Sequence, residues 1–161
     1  MIHIFDLDLT LWETFDKHGN PIWAKQLIFP LSPCKNDQVF DDVGSKCVLK
    51  KGVRQFLSHL FSQQLQIGFI SAGRHWDLED YNQPSLKLLQ IFGVLDFFNG
   101  PKILVYKNHK KSQFLNNIYE EITFYDDDQK VIEDLKVLNN IKVIDAKEIN
   151  DWTALIKDPY A

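Results

Sequence analysis

Cysteine is scarce in this 161-residue chain, with only Cys34 and Cys47 present. Two thiols are too few for a disulfide scaffold, and their separation is not that of a metal-binding pair. Glycine and proline are also sparse, at seven and six residues, which excludes collagen-like and linker-like composition. Neither charge sign dominates: 18 basic against 22 acidic residues leave a net charge of −4. Nothing in that balance favours a nucleic-acid backbone or an anionic membrane as partner. No apolar run approaches the roughly 20 residues that span a bilayer. The segment Ile-His-Ile-Phe at 2–5 is strand-like, with no basic region before it, so no signal peptide is expected and the predicted location is cytoplasmic. What the chain does have is a large apolar stock, 45% of residues, including 12 Phe, 5 Tyr and 4 Trp. At this length it predicts one compact domain over 1–161.

Short apolar runs alternate with helical patterns. Residues 2–5, 66–70, 103–106, 122–125 and 141–144 read as strands, and 52–64, 84–92, 110–119 and 129–138 as helices. In 52–64, Val53, Phe56, Leu57, Leu60 and Phe61 recur at offsets of three and four, which places them on one helical face. The strands are nearly continuous apolar runs, as in a sheet covered on both sides. Parallel neighbours need crossover connections, so the fold class predicted is α/β: a three-layer, doubly wound, mostly parallel sheet. Residues 13–50 interrupt this alternation. Gly19-Asn20-Pro21 marks a turn, 29–33 an extended stretch, and 39–43 with 47–49 a hairpin. Such a segment suits a small loop-and-hairpin insertion after the first strand and is too short for a large cap with its own core.

Ligands of such sheets bind beyond the carboxyl ends of the strands. At those ends stand Asp6-Leu7-Asp8-Leu9-Thr10, Ser71-Ala72-Gly73-Arg74, a lysine group at 107, 110 and 111, and Asp126-Asp127-Asp128. Taken singly, each has an ordinary explanation: a capped turn, a turn serine, a solvated cationic face, a helix N-cap. Together they crowd carboxylates at one edge of the sheet, which requires a compensating cation. Ligands that are all oxygen favour a hard metal such as Mg²⁺ with substrate phosphate. A lysine at a helix start beside a hydroxyl suits a phosphoryl oxyanion. Metal-assisted phosphoryl transfer is the chemistry this set predicts, with Asp6 and Asp8 dividing nucleophile and acid/base roles.

Asp6-Leu7-Asp8-Leu9-Thr10, Ser71, Lys110 and Asp126-Asp127 resemble, in order, the four motifs of the haloacid dehalogenase-like (HAD) phosphatase superfamily. The longer string from Phe5 to Trp12, and Phe124-Tyr125-Asp126-Asp127-Asp128, are similar to its magnesium-dependent phosphatase family. The likeness spans roughly residues 2–145 and is weakest over 13–50. It implies a phosphoric monoester hydrolase with Asp6 as nucleophile, forming an aspartyl-phosphate, and Asp8 as general acid and base. It further implies Mg²⁺ held by Asp6, the Asp8 main-chain carbonyl and Asp127, with Asp126 close by. Ser71 and the Ala72 N–H would bind a phosphoryl oxygen, and Lys110 would neutralise charge. Among the three lysines Lys110 is preferred because it opens the predicted helix ahead of Phe114 at a family-like spacing. Two residues separate Ser71 from Arg74, where the family often has Ser-Arg directly, so Arg74 is not assigned to substrate. Thr10 is expected to fix the Asp8 loop, and Trp12 either packs or touches substrate. The partner expected is a small phosphorylated molecule, such as a sugar phosphate, or a phosphoprotein of the phosphotyrosine type, with neither nucleic acid nor membrane. The alternatives are a phosphotransferase or mutase using the same intermediate, and a catalytically silent phosphate-binding domain.

Overall fold

A computed structural model describes residues 1–72, 78, 80, 82–105 and 109–156. Gly73, Arg74 and Lys107, named above, lie outside the described residues. Five strands form a parallel sheet: β1 (Ile2–Phe5), β6 (Gln66–Ala72), β7 (Lys102–Val105), β8 (Ile122–Asp126) and β9 (Ile141–Asp145), in the order β7-β6-β1-β8-β9. β1 is central, with Ile4 opposite Gly68 on one side and Phe124 on the other. Side chains alternate between faces, and both faces are covered. Ile2, Ile4, Ile70, Ile122 and Phe124 enter one apolar layer with Val105, Leu115 and Leu135. Phe5, Ile67, Phe69 and Tyr125 enter the other, against α1 (Val53–Ser62) and α2 (Pro84–Ile91). The predicted three-layer α/β fold is the one observed.

Local chemistry sets the helix ends. α1 starts after Gly52, at φ 81°, where an added Cβ would stand 2.6 Å from Asp151 Oδ1; both the conformation and the close approach call for glycine. α2 carries Pro84 in its first turn, where the missing N–H costs nothing. In α3 (Gln129–Leu135), the Asp128 carboxylate accepts the Lys130 N–H at 2.9 Å. That makes Asp128 the N-cap.

Residues 12–49 carry an antiparallel sheet in the order β3-β2-β5-β4: β2 (Trp12–Phe15), β3 (Pro21–Ile22), β4 (Gln38–Phe40) and β5 (Lys46–Leu49). The predicted hairpin is β4 with β5, where Phe40 opposes Lys46. β2 and β3 were not expected. At four and two residues they are too short to show a period, yet β2 joins the Asp6–Thr10 turn directly to this second sheet.

Two further expectations are corrected. The helix over 110–119 is instead a 3-10 turn, Lys111–Phe114, continued by Leu115 N–H to Ser112 O and Ile118 N–H to Leu115 O. Asn116 and Asn117 are poor helix formers, and the 3-10 pattern is a common form for such short pieces. Ser71 lies within β6 and not beyond it, since pairing with β7 runs on to Ala72 opposite Val105.

Candidate active site

Asp6 directly follows β1, its N–H donating to Tyr125 O on the neighbouring strand at 2.9 Å. Asp126 ends β8 one strand away and is fully buried; Asp127 follows it. The parallel pairing of β1 with β8 therefore brings three carboxylates together. One oxygen each from Asp6, Asp126 and Asp127 lies within 4.8 Å of the others. Lys111 Nζ bridges two of them, at 2.9 Å from Asp6 Oδ1 and 2.6 Å from Asp126 Oδ2. Thr10 Oγ1 stands 3.2 Å from Asp6 Oδ2 and 3.4 Å from Asp127 Oδ1. Lys111 thus reaches two of the three carboxylates. Burial first, then the charge of Asp6, pushes the Asp126 carboxyl up to about 6 and that of Asp127 higher still. The uncompensated charge and the all-oxygen donor set fit a divalent metal held by these aspartates.

The Asp8 side chain turns elsewhere. Its Oδ1 accepts the Trp12 indole N–H at 2.6 Å and its Oδ2 the Ala24 N–H at 3.2 Å. Burial raises its carboxyl above the ordinary range, against the lowering effect of the Trp12 bond. Leu9, next in line, adopts φ 62°, in the left-handed region that leucine rarely occupies. Its N–H donates to Trp12 O at 2.9 Å and its carbonyl accepts the Lys50 ammonium. Those two bonds hold the reversal that presents Asp6 and Asp8 to the same space. That space is an open cleft of about 480 Å³, lined by Asp6, Asp8, Ser71, Ala72, Lys111 and Asp127. Trp23, Lys130 and Lys147 also line it.

The acid phosphatase family model matches residues 1–146. The chain belongs to this family. It is a HAD-like phosphatase, a phosphoric monoester hydrolase. No curated protein matches it.

In this phosphatase the structure groups Asp6, Asp126 and Asp127 around one point and places Asp8, Ser71 and Ala72 along the same cleft. Lys110 is a correction. It is exposed and does not line the cleft, and its N–H takes the Gln113 side chain at 3.2 Å. The neighbouring lysine, Lys111, reaches the carboxylates. The 3-10 turn begins one residue later than the expected helix, and that single step swaps which side chain points inward. Thr10 is a second correction, since its hydroxyl bonds Asp6 and Asp127 and not the Asp8 loop. Trp12 packs: it is fully buried and stacks on Phe92 at 6.0 Å. Sequence reasoning missed Lys50, Trp23, Lys130 and Lys147. Trp23 alone stands out by type, as an aromatic beside the Gly19-Asn20-Pro21 turn. Among the described residues no helix is long and apolar enough to cross a membrane.

Proposed function

We propose that the chain hydrolyses phosphomonoesters in two steps through an aspartyl-phosphate on Asp6, with Mg²⁺ as the metal. The observation that carries this reading is the Asp6 carboxylate itself. It lies at the cleft between Lys111 and Thr10, within ligand distance of Asp126 and Asp127. In the first step an Asp6 oxygen attacks phosphorus, the bond to the ester oxygen breaks, and Asp8 gives that oxygen its proton. In the second step Asp8 takes a proton from water, whose oxygen attacks phosphorus, and the bond to Asp6 breaks to release phosphate. The elevated Asp8 carboxyl suits a group that must first hold a proton. Lys111 neutralises charge building on Asp6 and on the phosphoryl oxygens, the electrostatic work that dominates this chemistry. Ser71 and the Ala72 N–H border the place where those oxygens would lie. Asp6, Asp127 and the Asp8 carbonyl, with Asp126 beside them, would hold Mg²⁺, which would supply further charge neutralisation at the phosphoryl group.

The cleft is open, and its rim carries Trp23, half exposed, with Lys130 and Lys147. Such a rim admits bulky leaving groups, and phosphotyrosine-type esters and sugar phosphates are the substrate classes proposed, with residues 13–50 as a minimal roof. Free access of water favours hydrolysis over transfer to an acceptor alcohol. The test is Mg²⁺-dependent phosphate release from an aryl phosphate. EDTA and Asp6→Asn should each abolish it, and undiminished turnover by Asp6→Asn would overturn the reading.

A further inference from the structure

We propose that Trp12 is a positioning residue for Asp8 and that the N–H of Ala24 in the 13–50 segment completes the hold. The proposal rests on the acid/base role given to Asp8 above. Both oxygens of the Asp8 carboxylate are engaged by N–H donors outside the strand that precedes it, Trp12 Nε1 at 2.6 Å and Ala24 N at 3.2 Å. A carboxylate gripped at both oxygens from two different elements has little rotational freedom, and its direction is set by where those donors stand.

The donors are themselves fixed. Trp12 begins β2, pairs with Leu49, and forms a parallel bridge back to Asp8. Its ring is fully buried against Phe92, at the end of α2. An indole has two side-chain torsions, and burial between a strand and a helix end fixes both. A buried indole N–H usually finds an acceptor; that of Trp152 has none among the described residues, whereas that of Trp12 is bonded at 2.6 Å. A main-chain carbonyl would serve for packing alone; here the acceptor is a carboxylate that lines the cleft. Ala24, also fully buried, opens a 3-10 turn directly after Trp23 of the cleft rim. The segment that roofs the cleft therefore reaches the acid/base group through its own backbone. Misplacing a reacting group by about 1 Å can cost on the order of 10²-fold in rate.

The variant Trp12→Phe keeps an aromatic ring against Phe92 and removes only the N–H. With saturating Mg²⁺, its kcat on an alkyl phosphate, whose poor leaving group needs the proton, should fall roughly 10–100-fold. On an activated aryl phosphate kcat/KM, which reports only the steps up to release of the leaving group, should fall less than on the alkyl ester. In an Asp8→Ala background the same change should cost nothing further, there being no carboxylate left to hold. A merely structural tryptophan would impose the same loss in both backgrounds, and that result would overturn the proposal, as would wild-type kcat in Trp12→Phe. If Asp8→Ala alone leaves alkyl-ester turnover intact, the acid/base assignment falls and this proposal with it. Retention of the Asp8→Ala defect with no effect of Trp12→Phe sinks this proposal alone. Should Trp12→Phe not fold, Ala24→Pro decides: residue 23 already has the extended backbone a following proline requires, at ψ 145°. Loss of that single N–H should lower alkyl-ester kcat several-fold with KM unchanged, and an unaltered kcat would count against the hold.

Discussion

Asp127→Asn should stabilise the metal-free protein while destroying its activity. The folded chain brings Asp127 against Asp6 and Asp126, and burial, then the charges of those two, raises its carboxyl from 3.8 to about 7. An acid whose folded value is raised binds its proton more tightly in the folded state than in the unfolded one. The associated stability is complete below about pH 4 and is lost as pH climbs through 7. A shift of that size would amount to about 4 kcal/mol at roughly 1.4 kcal/mol per unit. The cleft is open to water, so solvent screening brings the expected cost of ionised Asp127 to about 1–3 kcal/mol. At this chain length that equals roughly 3–10 °C in melting temperature. The assay is thermal melting in EDTA between pH 4.5 and 8, repeated with saturating Mg²⁺. Wild type should exceed the variant by less, and then fall below it, as pH rises in EDTA. Mg²⁺ should restore the wild type and do little for Asp127→Asn. Comparing the two proteins cancels titrating groups remote from this cluster. If Asp127→Asn melts at or below wild type at pH 8 in EDTA and gains equally from Mg²⁺, the reasoning about crowded carboxylates is wrong.

The adjacent lysines make a paired test. Lys111→Met should lower kcat/KM on an aryl phosphate on the order of 10²–10³-fold, the usual cost of one donor to developing charge, and Lys110→Met should change it less than about 2-fold; the reverse order would refute the site geometry. His3 gives a second pH dependence, of opposite sign. Burial, then the N-terminal ammonium, lowers its ring to about 4, and Nδ1 lies 2.9 Å from the Tyr125 hydroxyl. The folded state resists the proton that the unfolded state accepts near 6.5, so acidification from pH 7 to 5 should cost about 1–2 kcal/mol after screening. Urea unfolding of His3→Gln should lack that loss, and an identical pH slope in the variant would refute it.

The parts of the site readable from sequence are those fixed by the sheet. β1 and β8 are buried on both faces, so each is a nearly continuous apolar run that leads straight into an aspartate. Parallel pairing then brings Asp6 and Asp126 to one edge whatever the intervening loops do. What sequence could not supply is side-chain choice among equivalent neighbours. Lys110 and Lys111 are indistinguishable by type, and only the start of a four-residue turn decides which faces in. Thr10 was misassigned because its second partner, Asp127, is 117 residues away, and no local pattern carries such a contact. The Trp12 bond to Asp8 was hidden for a different reason: a buried indole is normally placed by its apolar area, and its one polar atom leaves no mark on periodicity.

Trp152 bears on how fragments of this protein should be cut. It lies beyond residue 146, where the family match stops, yet it is fully buried. Its ring is 5.9 Å from Phe5, 5.6 Å from Phe56 and 5.5 Å from Tyr125, and its main-chain N–H donates to Lys51 O at 3.0 Å. Phe5 immediately precedes Asp6 and Tyr125 immediately precedes Asp126. A recombinant piece ending at 146 would open an indole-sized void behind both aspartates, a defect of about 3–5 kcal/mol by comparison with large-to-small core substitutions. The border suggested by kinship is thus not a border in the packing: the last turn acts as a stopper at the back of the chemistry.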